Sequence, residues 1–364
     1  MTTLRLNSRG PEVELLQSTL QSLGYYNGAI DGIFGFQTFT AVQNFQKANN
    51  LSVDGIVGPN TWNSLMPYIN GYTKHTIKQG DTLFEIARMH SSTVDAIIAA
   101  NPNIDYENLK IGEEIIVPFG SVVETNISYT SQFLNMDIEA LKVIYPFLQV
   151  SSIGRSTLGR PLSIIRFGTG QKEVFYCGAT HANEWITAPL LMKFLENLSK
   201  SYVNNLPIFG VNARELFSNV SLYLMPMVNP DGVDLVTGSI SENSWAYRNA
   251  KQIANNFPEI PFPNGWKANI ERNRFKSSVP SWLGASSWNK IRSRLQQTST
   301  TWLCWLWSSY RSRSCSFIYI YSSSQFFYNA YLSHSRKSNF LSISKPDTSW
   351  KSGISESFCW AFRI

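Results

Sequence analysis

The chain has 364 residues, 43% of them hydrophobic and 15% charged, with a formal net charge of +6. That length suffices for two or three domains, each with its own core. The charge is uneven: residues 1–275 carry a net −3 and residues 276–364 a net +9, so basicity over the first three quarters is excluded as a basis for nucleic-acid binding.

The first residues, MTTLRLNSRG, are polar, with no apolar signal region or cleavage site. No stretch approaches the roughly 18 apolar residues of a membrane span. The expectation is a chain without Sec export or membrane anchor, located in the cytoplasm or associated with wall or spore.

From Leu4 the sequence reads as a small helical bundle. Val13, Leu16, Leu20 and Leu23 fall at helical spacing, and so do Phe39, Val42, Phe45 and Ala48. Two turns of one design punctuate the segment, Asp31-Gly32-Ile33-Phe34-Gly35 and Asp54-Gly55-Ile56-Val57-Gly58, each with the Asp and Gly of a tight turn. The run of G-x-x-V-x-x-L-Q-x-x-L, Y-x-G-x-I-D-G-x-F-G-x-x-T, V-x-x-F-Q and L-x-V-D-G-x-V-G-x-x-T-W resembles a peptidoglycan-binding domain, assigned to residues 1–70. On this reading the Asp-Gly turns are structural.

Residues 74–119 give a strand at His75 to Ile77, a helix with Leu83, Ile86 and Ala87, a second with Val94, Ile97 and Ile98, and a strand at Ile115 to Val117. Asp81 reads as the N-cap of the first helix, with direct sugar contact as its alternative role. Asn101-Pro102 ends the second helix. With G-D-T-L, I-A, N-P, L-x-x-G and I-x-V-P in place, this βααβ segment resembles a LysM domain, which implies binding to glycan containing N-acetylglucosamine.

Residues 125–364 form the third segment. A hairpin-like run around Arg155 to Gly168 precedes the apolar strand Val174 to Cys177, a helix from about Ala188 to Leu198, and a buried strand from Leu222 to Met227. Alternating strand and helix make the class α/β. The strand empties into Gly178-Ala179-Thr180-His181-Ala182-Asn183-Glu184. Two donors three residues apart on one turn can share an ion. Zinc takes imidazole and carboxylate, and a catalytic site adds a third protein ligand and an open position. With the Val228-Asn229-Pro230-Asp231-Gly232 run downstream, the segment resembles the M14 zinc carboxypeptidases, and among them the bacterial γ-D-glutamyl-diaminopimelate endopeptidases.

That resemblance implies an α/β metallocarboxypeptidase-like domain, a Zn2+ cofactor ligated by His181 and Glu184, and a substrate-binding Arg248. It implies peptidoglycan, glycan strand and stem peptide, as partner, with no nucleic acid and no membrane span. A third zinc His and a general-base Glu are also required, and neither is identifiable. His334 and Glu356 are the nearest candidates; the flanks of His334 do not read as a buried strand.

The last quarter departs from the family after about residue 270. It holds 24 Ser, 7 Trp and 3 Cys in 89 residues. A slipped reading frame accounts for this composition. Read from the second base of permitted codons, Arg274 to Lys290 allows DLNHQFPAGWEQAAGIK, and Phe327 to Asn339 allows FIMLTYHTQGKVI. The second string holds the Tyr-His-Thr context of the family's missing ligand. A frameshift near Asn269 to Arg272 is therefore expected, and so is poor packing beyond it. The alternative function is a wall-binding protein with an inactive peptidase domain.

Overall fold

The computed structural model describes residues 1–208 and 210–271, together with the backbone of residues 315–322, 328–335 and 338–344. The chain divides into two compact units, one of residues 1–148, 192–204 and 237–241, the other of residues 149–191, 205–236 and 242–364.

The first unit opens with α1 (Pro11–Ser22), α2 (Phe36–Ala48) and α3 (Pro59–Asn70). Proline starts α1 and α3, where its missing N–H costs nothing. Val13, Leu16 and Leu20 bury one face of α1, and Ala41, Val42 and Phe45 one face of α2, as their spacing requires. Ala48, expected on that stripe, is exposed at the helix end.

The two Asp-Gly turns are held by one device used twice. Gln17, fully buried on α1, accepts from the N–H groups of Asp31 and Gly32 and donates to Asp31 Oδ1, Ile33 O and Thr38 Oγ1. Gln46 on α2 accepts from Gly55 N and donates to Asp54 Oδ1, Ile56 O and Thr61 Oγ1. Each amide saturates a loop that would otherwise bury unpaired backbone. Gly32 and Gly55 sit at φ 68° and 70°, the left-handed region that glycine enters without cost.

Next come β1 (Tyr72–Thr76), α4 (Leu83–Met89), α5 (Val94–Ala100) and β2 (Glu114–Pro118), with β1 and β2 antiparallel and His75 opposite Ile115. Ile77, Leu83, Ile86, Ala87, Ile97, Ile115 and Val117 form its core. Asp81 does not cap α4. The cap is Thr82, whose hydroxyl accepts from Glu85 N, while Asp81 accepts from His75 Nε2 at 2.8 Å and Lys78 N at 2.9 Å. Helix α6 (Ser131–Ile144), capped by Thr130, completes the unit's N-terminal part. Buried Tyr129 donates to Asp137 Oδ2 at 2.5 Å, and burial pushes the Asp137 carboxyl well above the usual range.

The second unit is built on a mixed sheet. The hairpin β3 (Gln149–Arg155) and β4 (Pro161–Phe167) is followed by β5 (Lys172–Cys177). A 3-10 turn (Ala182–Glu184), α7 (Thr187–Val203), whose residues from 192 on belong to the first unit, the short β6 (Pro207–Ile208) and β7 (Val211–Asn212), and α8 (Ala213–Asn219) lead to β8 (Val220–Met225). Then come α9 (Pro230–Val236) and α10 (Trp245–Ala254). In the tail, the backbone forms β9 (Cys315–Ser322), β10 (Tyr328–Ser335) and β11 (Ser338–Ser344), and the sheet order is β11-β10-β9-β5-β8-β4-β3. Strands β5 and β8 run parallel, with Cys177 opposite Met225; β4 and β8 run antiparallel. Leu162, Met225 and Val228 are buried together, with Ile164, Phe175 and Cys177 packed on them. The backbone around His334 forms strand β10, with His334 paired to Asn339, and the burial of its side chains lies outside the described residues. Among the described residues, no helix is long and apolar enough to cross a membrane.

Candidate functional site

Strands β5 and β8 are parallel, so both deliver their chains to the same sheet edge, the edge at which α/β folds place their sites. Beyond β5 the backbone turns sharply: Ala179 stands at φ 46°, a conformation that costs a residue with a Cβ about 1–2 kcal/mol. Three bonds hold it there. Its N–H donates to Thr187 Oγ1, its carbonyl accepts from Asn229 N, and the Thr187 hydroxyl donates onward to Glu184 O. The loops after the two strands are stitched again by Val228 N donating to Gly178 O at 3.0 Å.

His181 is the N-cap of the 3-10 turn and Glu184 its last residue, with Glu184 N donating to His181 O at 3.0 Å. The Asn-Pro-Asp-Gly run lies against this turn. A Cβ placed on Gly232 would come within 2.8 Å of Ala182 Cβ and 2.6 Å of Ala268 O, so only glycine allows that approach. Asn229 donates through Nδ2 to Ala268 O at 3.1 Å and accepts from Gly232 N, tying α9 to the 266–270 segment. Ala182 N points at Lys267 O at 3.5 Å.

Burial sets the electrostatics. It lowers the pKa of His181, with the Lys267 ammonium adding to the effect, so the imidazole is neutral and able to ligate. Burial raises Glu184 to about 6, with Lys267 pulling the other way. A neutral imidazole and a desolvated carboxyl on one tight turn suit a zinc ion in kind and spacing. They are two donors of the three a catalytic zinc needs. Among the described residues, no third His, Cys, Asp or Glu joins them.

Arg248 lies exposed on α10, and among the described residues its side chain makes no ion pair. Its neighbour Asn249 is the residue that reaches the site's surroundings, donating to Ile270 O at 2.9 Å. Only the backbone of His334 is described, and Glu356 and the expected break in packing after the slip lie outside the described residues. Thr187, Asn229 and Lys267 are site neighbours that sequence reading missed. Asn229 was signalled by the Asn-Pro-Asp-Gly run, whereas the other two carry no local signal.

A putative peptidoglycan binding domain model matches residues 9–65, a LysM domain model residues 75–118, and the zinc carboxypeptidase model residues 134–339. The gamma-D-glutamyl-L-diamino acid endopeptidase 1 of Lysinibacillus sphaericus is 38% identical over 171 residues, covering 47% of this chain and 41% of that protein. The uncharacterized protein YqgT of Bacillus subtilis is 37% identical over 163 residues, covering 44% and 43%. The spore cortex-lytic enzyme of Oceanobacillus iheyensis is 40% identical over 75 residues, 20% of this chain and 27% of that one. The chain thus spans less than half the length of these relatives. The zinc carboxypeptidase match extends over more than half of the chain, from α6 to the end of β10 and beyond, and this protein belongs to the zinc carboxypeptidase family, Peptidase_M14.

Proposed function

We propose that the chain is a zinc metallopeptidase that hydrolyses peptidoglycan stem peptides at the γ-D-glutamyl–diaminopimelate bond. Two wall-binding modules, residues 1–70 and 74–119, precede the peptidase segment, residues 125–364. The observation that carries the reading is the His181–Glu184 turn, with both donors half-buried, at the end of β5 beside the end of β8. The printed activity of the Lysinibacillus sphaericus relative supports the choice of bond. The peptidoglycan-binding and LysM matches support peptidoglycan as the partner.

In this reading His181 and Glu184 hold the zinc, which when bound supplies an activated water and a polarised carbonyl. The chain's own residues set the stage for it. Ala179, pinned by Thr187 and Asn229, orients the turn. Partial burial of both donors excludes competing water, and Arg248 on α10 contributes charge for the substrate. Purified full-length chain tests this by zinc stoichiometry alongside hydrolysis of a γ-D-glutamyl-diaminopimelate peptide. One zinc per chain and turnover, both lost in His181→Ala, support the reading. Retention on insoluble peptidoglycan with neither zinc nor turnover overturns it, in favour of a wall-binding protein with an inactive peptidase domain.

A further inference from the structure

The hairpin β3–β4 ends in a loop with no role in the chemistry so far described, yet it carries a concentrated charge cluster. Arg160 donates through Nη1 to Asp231 Oδ1 at 2.9 Å and through Nε to Asp234 Oδ2 at 2.6 Å. Asp231 also accepts from Ser156 Oγ at 2.6 Å and Leu158 N at 2.9 Å. Both carboxylates are almost fully buried, Asp231 at 1% and Asp234 at 2% exposure. Taking three charges out of water gives little net stability, and an apolar trio of the same volume is often as stable. What a planar guanidinium forked between two carboxylates does supply is geometry, because both of its bonds fix its orientation.

That geometry is transmitted a short distance. Asp231 sits two residues from Asn229, whose backbone bonds Ala179 and whose side chain bonds Ala268. Asp231 is also followed by Gly232, which meets Ala182 in the turn itself. A displacement of the start of α9 therefore reaches Ala179 ahead of the turn and Ala182 at its start. We infer that Arg160 is a positioning residue for the His181–Glu184 turn, acting through Asp231 and Asn229, so that the β3–β4 hairpin fixes the geometry of the candidate metal ligands. The metal half of this inference rests on the proposed function; the effect on the turn does not.

The test uses the full chain with Arg160→Lys, which keeps the charge and loses the fork, and His181→Ala as the control. The readouts are amide hydrogen exchange by residue, the visible spectrum of added Co2+, and the thermal midpoint. In Arg160→Lys, exchange at Ala179, Ala182 and Glu184 is expected to accelerate at least tenfold while the amides of β5 and β8 keep their protection. Co2+ affinity is expected to fall about tenfold, the low end for loss of a group that orients a ligand, with a shifted band. Should Arg160→Lys not fold, Asp231→Asn, which keeps the side chain's shape and removes the charge that Arg160 Nη1 grips, takes its place with the same expected pattern. A folded variant with wild-type exchange at the turn overturns the inference, as does a uniform rise across the unit, the mark of a purely structural role. If the wild type and His181→Ala take up Co2+ alike, the metal reading fails, and exchange at the turn still decides the positioning role.

Discussion

Gly232→Ala probes the site without touching a candidate ligand. The added Cβ would lie 2.5 Å from Asn229 Nδ2, 2.6 Å from Ala268 O and 2.8 Å from Ala182 Cβ. Carbon contacts are comfortable at about 3.5–4.0 Å, so three neighbours must each retreat by close to 1 Å. One is a backbone carbonyl, and another is a side chain held at both ends by hydrogen bonds. Overpacking of this kind costs about 1–3 kcal/mol, and three simultaneous clashes argue for the upper end. Against that, alanine is favoured over glycine within a helix by up to about 1 kcal/mol. The net expectation is a loss of about 2 kcal/mol. For a unit of this size that corresponds to a thermal midpoint lower by about 4–8 °C in calorimetry of the full chain. Amide exchange at Ala182, whose N–H faces Lys267 O, should accelerate with it. A variant within about 0.5 kcal/mol of wild type, with unchanged exchange at Ala182, would refute the close packing of α9 on the turn.

Other outcomes follow from the same contacts. Gln17→Glu places a buried carboxylate opposite Asp31 and removes the amide donor to three acceptors, so urea unfolding should show a loss of about 3 kcal/mol or more. Asp137 is held protonated by burial, whereas the unfolded chain ionises near 3.8. Its contribution is therefore intact below that pH and declines as pH rises above it. Asp137→Asn should flatten the fall in urea midpoint between about pH 4 and 7; an unchanged slope contradicts the assignment. Sequencing the gene across the codons for Asn269 to Arg272 should reveal a slip in frame, and an uninterrupted frame shared with longer relatives dismisses it.

Much of the architecture was legible because it is periodic. Val13, Leu16 and Leu20 announce α1, and Val94 and Ile97 announce α5, since each helix must turn one apolar face inward. Helix α6 was equally announced by Thr130 followed by Phe133, Leu134, Ile138 and Leu141, and was passed over. The Asp81 assignment failed because two capping residues stand side by side. Thr82 has Glu85 three residues on, the arrangement of a capping box, and that spacing was the better guide. At the candidate site, His181 and Glu184 could be read together because three residues on a turn is a local relation. Asn229, Gly232 and Lys267 reach the turn from 45 or more residues away, and Arg160 meets Asp231 across 71 residues. Such meetings follow from sheet topology and leave no periodic trace.

The paired glutamines carry a consequence for how the first module can vary. Gln17 reaches its turn across 14 residues and Gln46 across 8, yet each donates to the turn's Asp, a backbone carbonyl and a Thr hydroxyl and accepts from the turn's Gly N–H. The chain length between anchor and turn is therefore free, and the turn is secured by its own fastener. Extra residues spliced beside exposed Asn27 should lengthen the connecting loop and leave Asp31 and Gly32 where they are. Each half of the module carries the instructions for its own loop.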